Sequence, residues 1–306
     1  MTDRNLFCEN LKALLPSVEL RFDEPLAKHT SFRIGGPAQV MAFPRNTDEL
    51  SCCLKAAKDL GVAPRILGAG TNILAPDEGV EGLIICLKEN FDGMEQVDDT
   101  RIRVMSGVTM TRAAVFAANL GLSGLEFAHG IPGTVGGGVY MNAGAYGGEI
   151  CQVCTQVALM DPDGSLRILP GCGMDFGYRH SCLEHDPGIV VWAEFSLTPA
   201  EPETVKEKMR ELMAKRKASQ PLDLPSAGSA FKRPVGGYAA ALIDQAGLKG
   251  YRVGGAAVSE KHAGFAVNLG GATAQDVLNL LQQVSDKVFE KTGIRLEPEI
   301  RLWDQC

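Results

Sequence analysis

The chain contains no run of about 18 apolar residues, the span a membrane-crossing helix needs. Residues 1–8 lack the basic start and long apolar core of a secretory leader, so the expectation is a cytoplasmic protein without membrane insertion. No Gly-Lys pair exists for a nucleotide-binding P-loop, no H-E-x-x-H for a zinc protease and no G-x-S-x-G for a hydrolase elbow. Positive charge is in deficit: 30 Lys and Arg against 37 Asp and Glu leave a net charge of −7, which offers nucleic acid no general basic surface. The nine cysteines follow no framework spacing and suit reduced thiols. Cys151 and Cys154 form a C-x-x-C with no second pair to complete a zinc site, and no metal is expected.

Glycine is plentiful, at 35 of 306 residues, and it is concentrated. From His129 to Glu149 almost every third residue is glycine. Such density lets a ligand approach the main chain and offers a path of amide donors that suits a pyrophosphate. A flexible linker would be polar and serine-rich, whereas Ile131, Val135, Val139, Tyr140 and Met141 need burial. An earlier glycine loop, Gly68-Ala69-Gly70-Thr71-Asn72, follows a predicted strand at 63–67. It lacks the third glycine and the following helix of the dinucleotide-binding Rossmann fingerprint.

The length suggests two domains, or three small ones. Amphipathic spacing predicts helices over 6–15, from a Thr47 cap to Gly61, after Val108, over 203–217 and over 238–246. A further helix opens with a Thr273/Asp276 capping box and carries Val277, Leu280, Leu281, Val284 and Val288 on one face. Strands are predicted at 82–87, 101–105, 155–160, 189–197, 251–258, 263–269 and 294–303. Composition changes at 199–202 and the tail half reads as α+β, which sets a boundary near 200. Three polar clusters, 176–181, 226–234 and 296–301, answer to no structural rule.

Seven motifs occur in order: His29-Thr30-Ser31-Phe32-Arg33-Ile34-Gly35-Gly36-Pro37, the 68–72 loop, the long glycine stretch, Tyr178-Arg179, Gly228-Ser229-Ala230-Phe231-Lys232-Arg233-Pro234, Gly247-Leu248-Lys249-Gly250 and Leu296-Glu297-Pro298-Glu299. Together they resemble the UDP-N-acetylenolpyruvoylglucosamine reductase (UDP-N-acetylmuramate dehydrogenase) family, from about residue 26 to 303. The resemblance implies an α+β fold, with a two-subdomain FAD-binding module of the vanillyl-alcohol-oxidase (PCMH) type at 1–82 and 83–199 and a C-terminal α+β substrate domain at 200–306. It also implies reduction of UDP-N-acetylglucosamine enolpyruvate to UDP-N-acetylmuramate for peptidoglycan, with non-covalent FAD as cofactor and NADPH as co-substrate.

By the same resemblance, Gly68, Ala69, Gly70, Thr71 and Asn72 meet the FAD diphosphate and ribityl chain together with Gly130, Ile131, Pro132, Gly133, Thr134, Gly136 and Gly137. Asn142, Ala143 and Gly144 lie close by. Arg179 and Glu299 line the enolpyruvyl unit, Ser229 donates the proton, Lys232, Arg233 and Arg216 meet the nucleotide diphosphate, and His262 lies on the substrate side. The residue types suit this chemistry, since arginine is always charged and grips a carboxylate with two donors. Serine is a poor acid unless neighbours such as Lys232 lower its cost of ionising. Glu297, two residues away on the same strand face, is the alternative to Glu299. Arg216 alternatively belongs to the solvated face of its helix. Segment 181–188 is short and holds no tyrosine, as in the subclass without a tyrosine-bearing closing loop. Rival readings are a same-fold FAD enzyme with flavin bonded through His129, and a nucleotide-sugar-binding regulator without turnover.

Overall fold

Apolar residues alternate in destination along strand Cys154–Met160. Val157 and Leu159 enter one core, with Ile102, Val104, Val135 and Phe195. Ala158 and Met160 enter another, with Leu50, Leu54, Ile85 and Val191. The period of two in a strand sends successive side chains to opposite faces, so a strand lying between two cores must be apolar on both. This strand sits inside an antiparallel sheet ordered Leu166–Pro170, Cys154–Met160, Ile189–Ser196, Arg101–Met105 and Met94–Gln96.

The computed structural model describes residues 3–303; Met1 and Thr2 of the N-terminal stretch, and Cys306, the ninth cysteine, lie outside them. The chain packs as two units. The first takes in residues up to Phe22, Val40–Ala69 and Gly82–Ala214, and the second Asp23–Gln39, Gly70–Glu81 and the chain from Lys215 onward. Crossings fall inside strands Glu19–Pro25, Pro37–Phe43 and Val80–Cys86, in the 68–72 loop and inside helix Pro202–Ser219, so none lies at the compositional change near 200.

In the first unit, helix Thr47–Asp59 buries Leu50, Cys53, Leu54 and Ala57. Its cap is Asn46 and not Thr47: Asn46 is extended at φ −157° and its Oδ1 accepts from Glu49 N at 2.9 Å. Glu49 in turn accepts from Arg45 N at 2.8 Å and from the Arg45 guanidinium. Those hydrogen bonds from the guanidinium hold the Glu49 carboxyl below its ordinary value.

The second unit is a four-stranded antiparallel sheet, in the order Ser226–Ser229, Phe265–Asn268, Ala256–Val258 and Arg252–Val253. Helix Ala274–Thr292 contributes Val277, Leu280, Leu281, Val284 and Val288 to its core, where Phe32, Ile34 and Leu74 also pack. The capping box forms as the sequence indicates, with Thr273 Oγ1 accepting from Asp276 N and Asp276 Oδ2 from Thr273 N. Two expectations change. The single strand at 251–258 is a hairpin folded at Gly254, whose φ is +55°. The strand at 294–303 reduces to Arg301–Leu302, parallel to Ile73–Leu74, plus one bridge at Pro298, which has no N–H to extend a ladder.

The Glu49 contribution has a definite pH sign. Because the folded-state value is depressed, the stabilisation is complete above the ordinary glutamate value of 4.5 and disappears as pH falls through the lower folded value. Glu49→Gln is expected to lower the melting temperature at pH 7, and the gap to the parent chain should close as pH drops below 4.5, read by a thermal-denaturation series.

Candidate active site

Strand Arg65–Leu67 delivers Gly68 against the glycine-rich stretch. A Cβ on Gly68 would lie 2.5 Å from Thr134 Oγ1, and one on Gly136 would lie 2.9 Å from Ser106 Cβ. Both contacts are below van der Waals distance, so only glycine allows these segments to meet. Segment 106–110 backs the stretch through Gly136 N to Ser106 O, Val135 N to Val108 O and Met110 N to Gly133 O, at 2.8–3.0 Å.

The stretch differs from the expected open path of amides. Its middle is a short helix, Val135–Tyr140, capped by Thr134. Gly130 N donates to Thr111 Oγ1, Ile131 N to Ala128 O, Gly136 N to Ser106 O and Gly137 N to Thr134 Oγ1. The amides of these four residues are therefore spent within the fold, and only the three glycines among them add no side-chain bulk. Pro132 has no amide hydrogen, while Gly133 takes φ +136°. Ala69 stays with the first unit, and Gly70, Thr71 and Asn72 fall in the second, where Ser31 N donates to Gly70 O and Arg301 N to Asn72 O.

Ser106, which no motif in the sequence marks, is 2% exposed and its hydroxyl has no hydrogen-bond partner among the described residues. A buried hydroxyl in that state calls for a polar guest. Side-chain-free walls next to such a hydroxyl fit an oxygen-rich nucleotide cofactor such as FAD. The Cys151–Cys154 pair has no comparable feature: burial pushes the Cys154 thiol up to about 12 and keeps it protonated.

Arg179 stands at the tip of a two-residue turn in the first unit. Gly177 N donates to His180 O at 3.1 Å and His180 N returns a bond to Gly177 O at 3.3 Å. Arg179 itself is left-handed, at φ +56°, with its guanidinium 5.2 Å from the Tyr178 ring. His180 Nδ1 lies 2.7 Å from Glu184, whose hydrogen bond raises the imidazole above its ordinary value. Asn142, expected beside the cofactor, is buried with its carboxamide engaged by Gly177, Glu149 and Cys151. Ala143 N closes the end of the short helix, and Gly144 pairs with Glu149.

Ser229, Glu299, Lys232, Arg233, Arg216 and His262 belong to the second unit. Ser229 ends strand Ser226–Ser229, paired to Phe265, immediately after a register shift at Gly228, which takes φ +76°. Segment 230–232 then runs against 297–299, through Glu299 N to Ala230 O at 2.9 Å and Lys232 N to Glu297 O at 2.8 Å. The main chain thus brings Glu299 beside the neighbour of Ser229. Lys232 Nζ forms an ion pair with Glu297, so the ammonium expected to assist Ser229 is committed elsewhere. That pairing also separates the two carboxylates, leaving Glu299 as the half-buried one.

Arg216 is 5% exposed and donates to Gln220 Oε1 at 3.1 Å, which removes the solvated-face alternative. Arg233 lies over the Tyr238 ring at 4.7 Å. His262 Nδ1 accepts from Gly264 N at 3.1 Å, and burial lowers its affinity for a second proton, so Nε2–H is a neutral donor.

Residues 38–169 match the family described as FAD binding domain, and residues 220–303 the family described as UDP-N-acetylenolpyruvoylglucosamine reductase, C-terminal domain. The UDP-N-acetylenolpyruvoylglucosamine reductase of Caldanaerobacter subterraneus subsp. tengcongensis is 44% identical, over 97% of this chain and 98% of that protein. The reductase of Streptococcus pneumoniae (strain 70585) is 42% identical, over 96% and 97%. The crystal structure of UDP-N-acetylenolpyruvylglucosamine reductase from Thermus caldophilus aligns with a TM-score of 0.78 at 37% identity, covering 94% of this chain and 99% of that one. An FAD-binding module followed by a reductase C-terminal domain is the α+β organisation that the ordered motifs imply. With relatives matched over nearly their whole length, this chain belongs to the UDP-N-acetylenolpyruvoylglucosamine reductase family.

Proposed function

We propose that the chain reduces UDP-N-acetylglucosamine enolpyruvate to UDP-N-acetylmuramate for peptidoglycan precursor synthesis in the cytoplasm, using non-covalent FAD and NADPH. The observation that carries this reading beyond family membership is the hydrogen bond from Glu299 N to Ala230 O, which brings Glu299 beside the residue that follows Ser229 within the reductase C-terminal domain. In this reading residues 1–82 and 83–199 serve the flavin and 200–306 the substrate.

FAD, when bound, would supply the two-electron redox chemistry that links NADPH to the terminal carbon of the enolpyruvyl ether. Hydride arriving there leaves negative charge on the adjacent carbon and its carboxylate. Arg179 is the fixed cation for that charge, and its guanidinium holds the carboxylate through two donors. Ser229 Oγ–H gives its proton to the carbanionic carbon, leaving an alkoxide that is reprotonated from solvent. Glu299 orients the reacting unit from beside Ser229. Lys232, Arg233, Arg216 and the neutral His262 donor remain the candidates for the nucleotide end, and Gly68 and Gly136 let the segments that would hold the cofactor's diphosphate side pack against each other.

Anaerobic half-reactions test the proposal: NADPH should bleach the yellow protein, and UDP-N-acetylglucosamine enolpyruvate should restore the colour without oxygen. A protein that bleaches and stays bleached has another substrate. Ser229→Ala is expected to slow recolouring about 10²–10⁴-fold, the usual span of general acid catalysis, while bleaching continues at the parent rate. Equal losses in both halves would remove Ser229 from the proton step. Gly68→Ala, which puts a methyl group 2.5 Å from Thr134 Oγ1, should weaken FAD reconstitution of the apoprotein, measured by flavin fluorescence. The expected loss is about tenfold, or roughly 1.4 kcal/mol.

A further inference from the structure

The short glycine-rich helix ends on paired bonds, Asn142 N to Val139 O at 3.2 Å and Ala143 N to Gly138 O at 2.8 Å. Asn142, at φ +41°, is the left-handed residue of that ending. Glycine is the residue this geometry ordinarily takes, with asparagine the tolerated second choice. The side chain at this position is what glycine would forfeit, and it is fully engaged. Asn142 Nδ2 donates to Gly177 O at 3.0 Å and to Glu149 Oε2 at 3.2 Å, and its Oδ1 accepts from Cys151 N at 3.0 Å. One amide orientation satisfies all three, since a flipped carboxamide would turn its oxygen on a carbonyl and a carboxylate.

Gly177 O is the base of the turn that presents Arg179, and it already accepts from His180 N. The carboxamide occupies its other side. A second tie, Ser181 Oγ to Tyr140 O at 2.8 Å, leads from the far end of the turn to the same short helix. Between the ties Arg179 is held at φ +56°, where a non-glycine residue remains only if its surroundings oblige it.

We infer that Asn142 is a positioning residue for Arg179, its carboxamide fastening the Tyr178–Arg179 turn to the end of the glycine-rich helix so that the guanidinium meets the substrate carboxylate in one fixed pose. The inference rests on the proposed role of Arg179. It gives Asn142 a part in substrate turnover and none in holding flavin.

Asn142→Gly is the clean variant, because glycine keeps the helix ending and deletes only the carboxamide. Asn142→Asp is the near-isosteric companion: its carboxylate accepts from Cys151 N and has no hydrogen to give Gly177 O. In both variants FAD content and bleaching by NADPH should match the parent chain, while recolouring by UDP-N-acetylglucosamine enolpyruvate slows about 10–100-fold, as a misplaced reacting group costs. In an Arg179→Ala background, Asn142→Gly should cause no further loss, because its effect runs through the arginine.

Parent-rate recolouring in Asn142→Gly, or losses that multiply with those of Arg179→Ala, would overturn the inference alone. If Arg179→Ala by itself recolours at the parent rate, the role of Arg179 falls and the inference falls with it. Loss of flavin or of NADPH bleaching in Asn142→Gly would return Asn142 to the cofactor and equally overturn it.

Discussion

Everything in the first unit leans on the double-sided burial of strand Cys154–Met160 and its neighbour Ile189–Ser196. With a core on each face, these two strands admit a charge only where partners enclose it. Glu194, 1% exposed, meets that condition through Arg101 Nη1 at 2.8 Å and Arg103 Nη2 at 3.2 Å. The same sheet carries the glycine-rich stretch: Val191 O accepts from Ser106 N, and Ser106 O accepts from Gly136 N. A doubly buried pair of strands thus anchors, through Ser106, the start of the short glycine-rich helix.

The proposed chemistry falls where regular backbone gives out. Arg179 and Asn142 take left-handed conformations, and Ser229 follows the kink at Gly228. Ladder positions commit both main-chain groups to neighbours and aim side chains perpendicular to the sheet. A turn or a shifted register releases the side chain to a direction the ladder forbids, and hydrogen bonds from adjacent segments then restore the lost rigidity. Glu299 N to Ala230 O serves Ser229 in this way, as the Gly177–His180 bonds serve Arg179.

Much of this was legible in the residues because it depends on short-range rules. The Thr273/Asp276 box and the apolar face behind it need only positions within one helix. Strand Arg101–Met105 stands where its alternation predicts. The local signal fails where two candidates compete, as when Asn46 takes the cap from Thr47. It fails again where partners are remote in sequence. The Lys232–Glu297 pair, the burial of Arg216 and the orphan hydroxyl of Ser106 depend on what the fold brings alongside, and no periodicity encodes that. Composition marks the glycine stretch as a candidate ligand-facing segment but not where its amides go, since glycine content is silent on which amides a helix consumes.

The interleaved units carry a consequence for synthesis. Phe32, Ile34 and Leu74 emerge from the ribosome early, whereas the residues they pack against, such as Val277, Leu280 and Val284, are made last. Contacts of such separation close slowly, because a long loop must be ordered before any burial rewards it. Three large side chains therefore wait in the nascent polypeptide for a core that does not yet exist. Until helix Ala274–Thr292 has been made, that early segment is the one most exposed to aggregation.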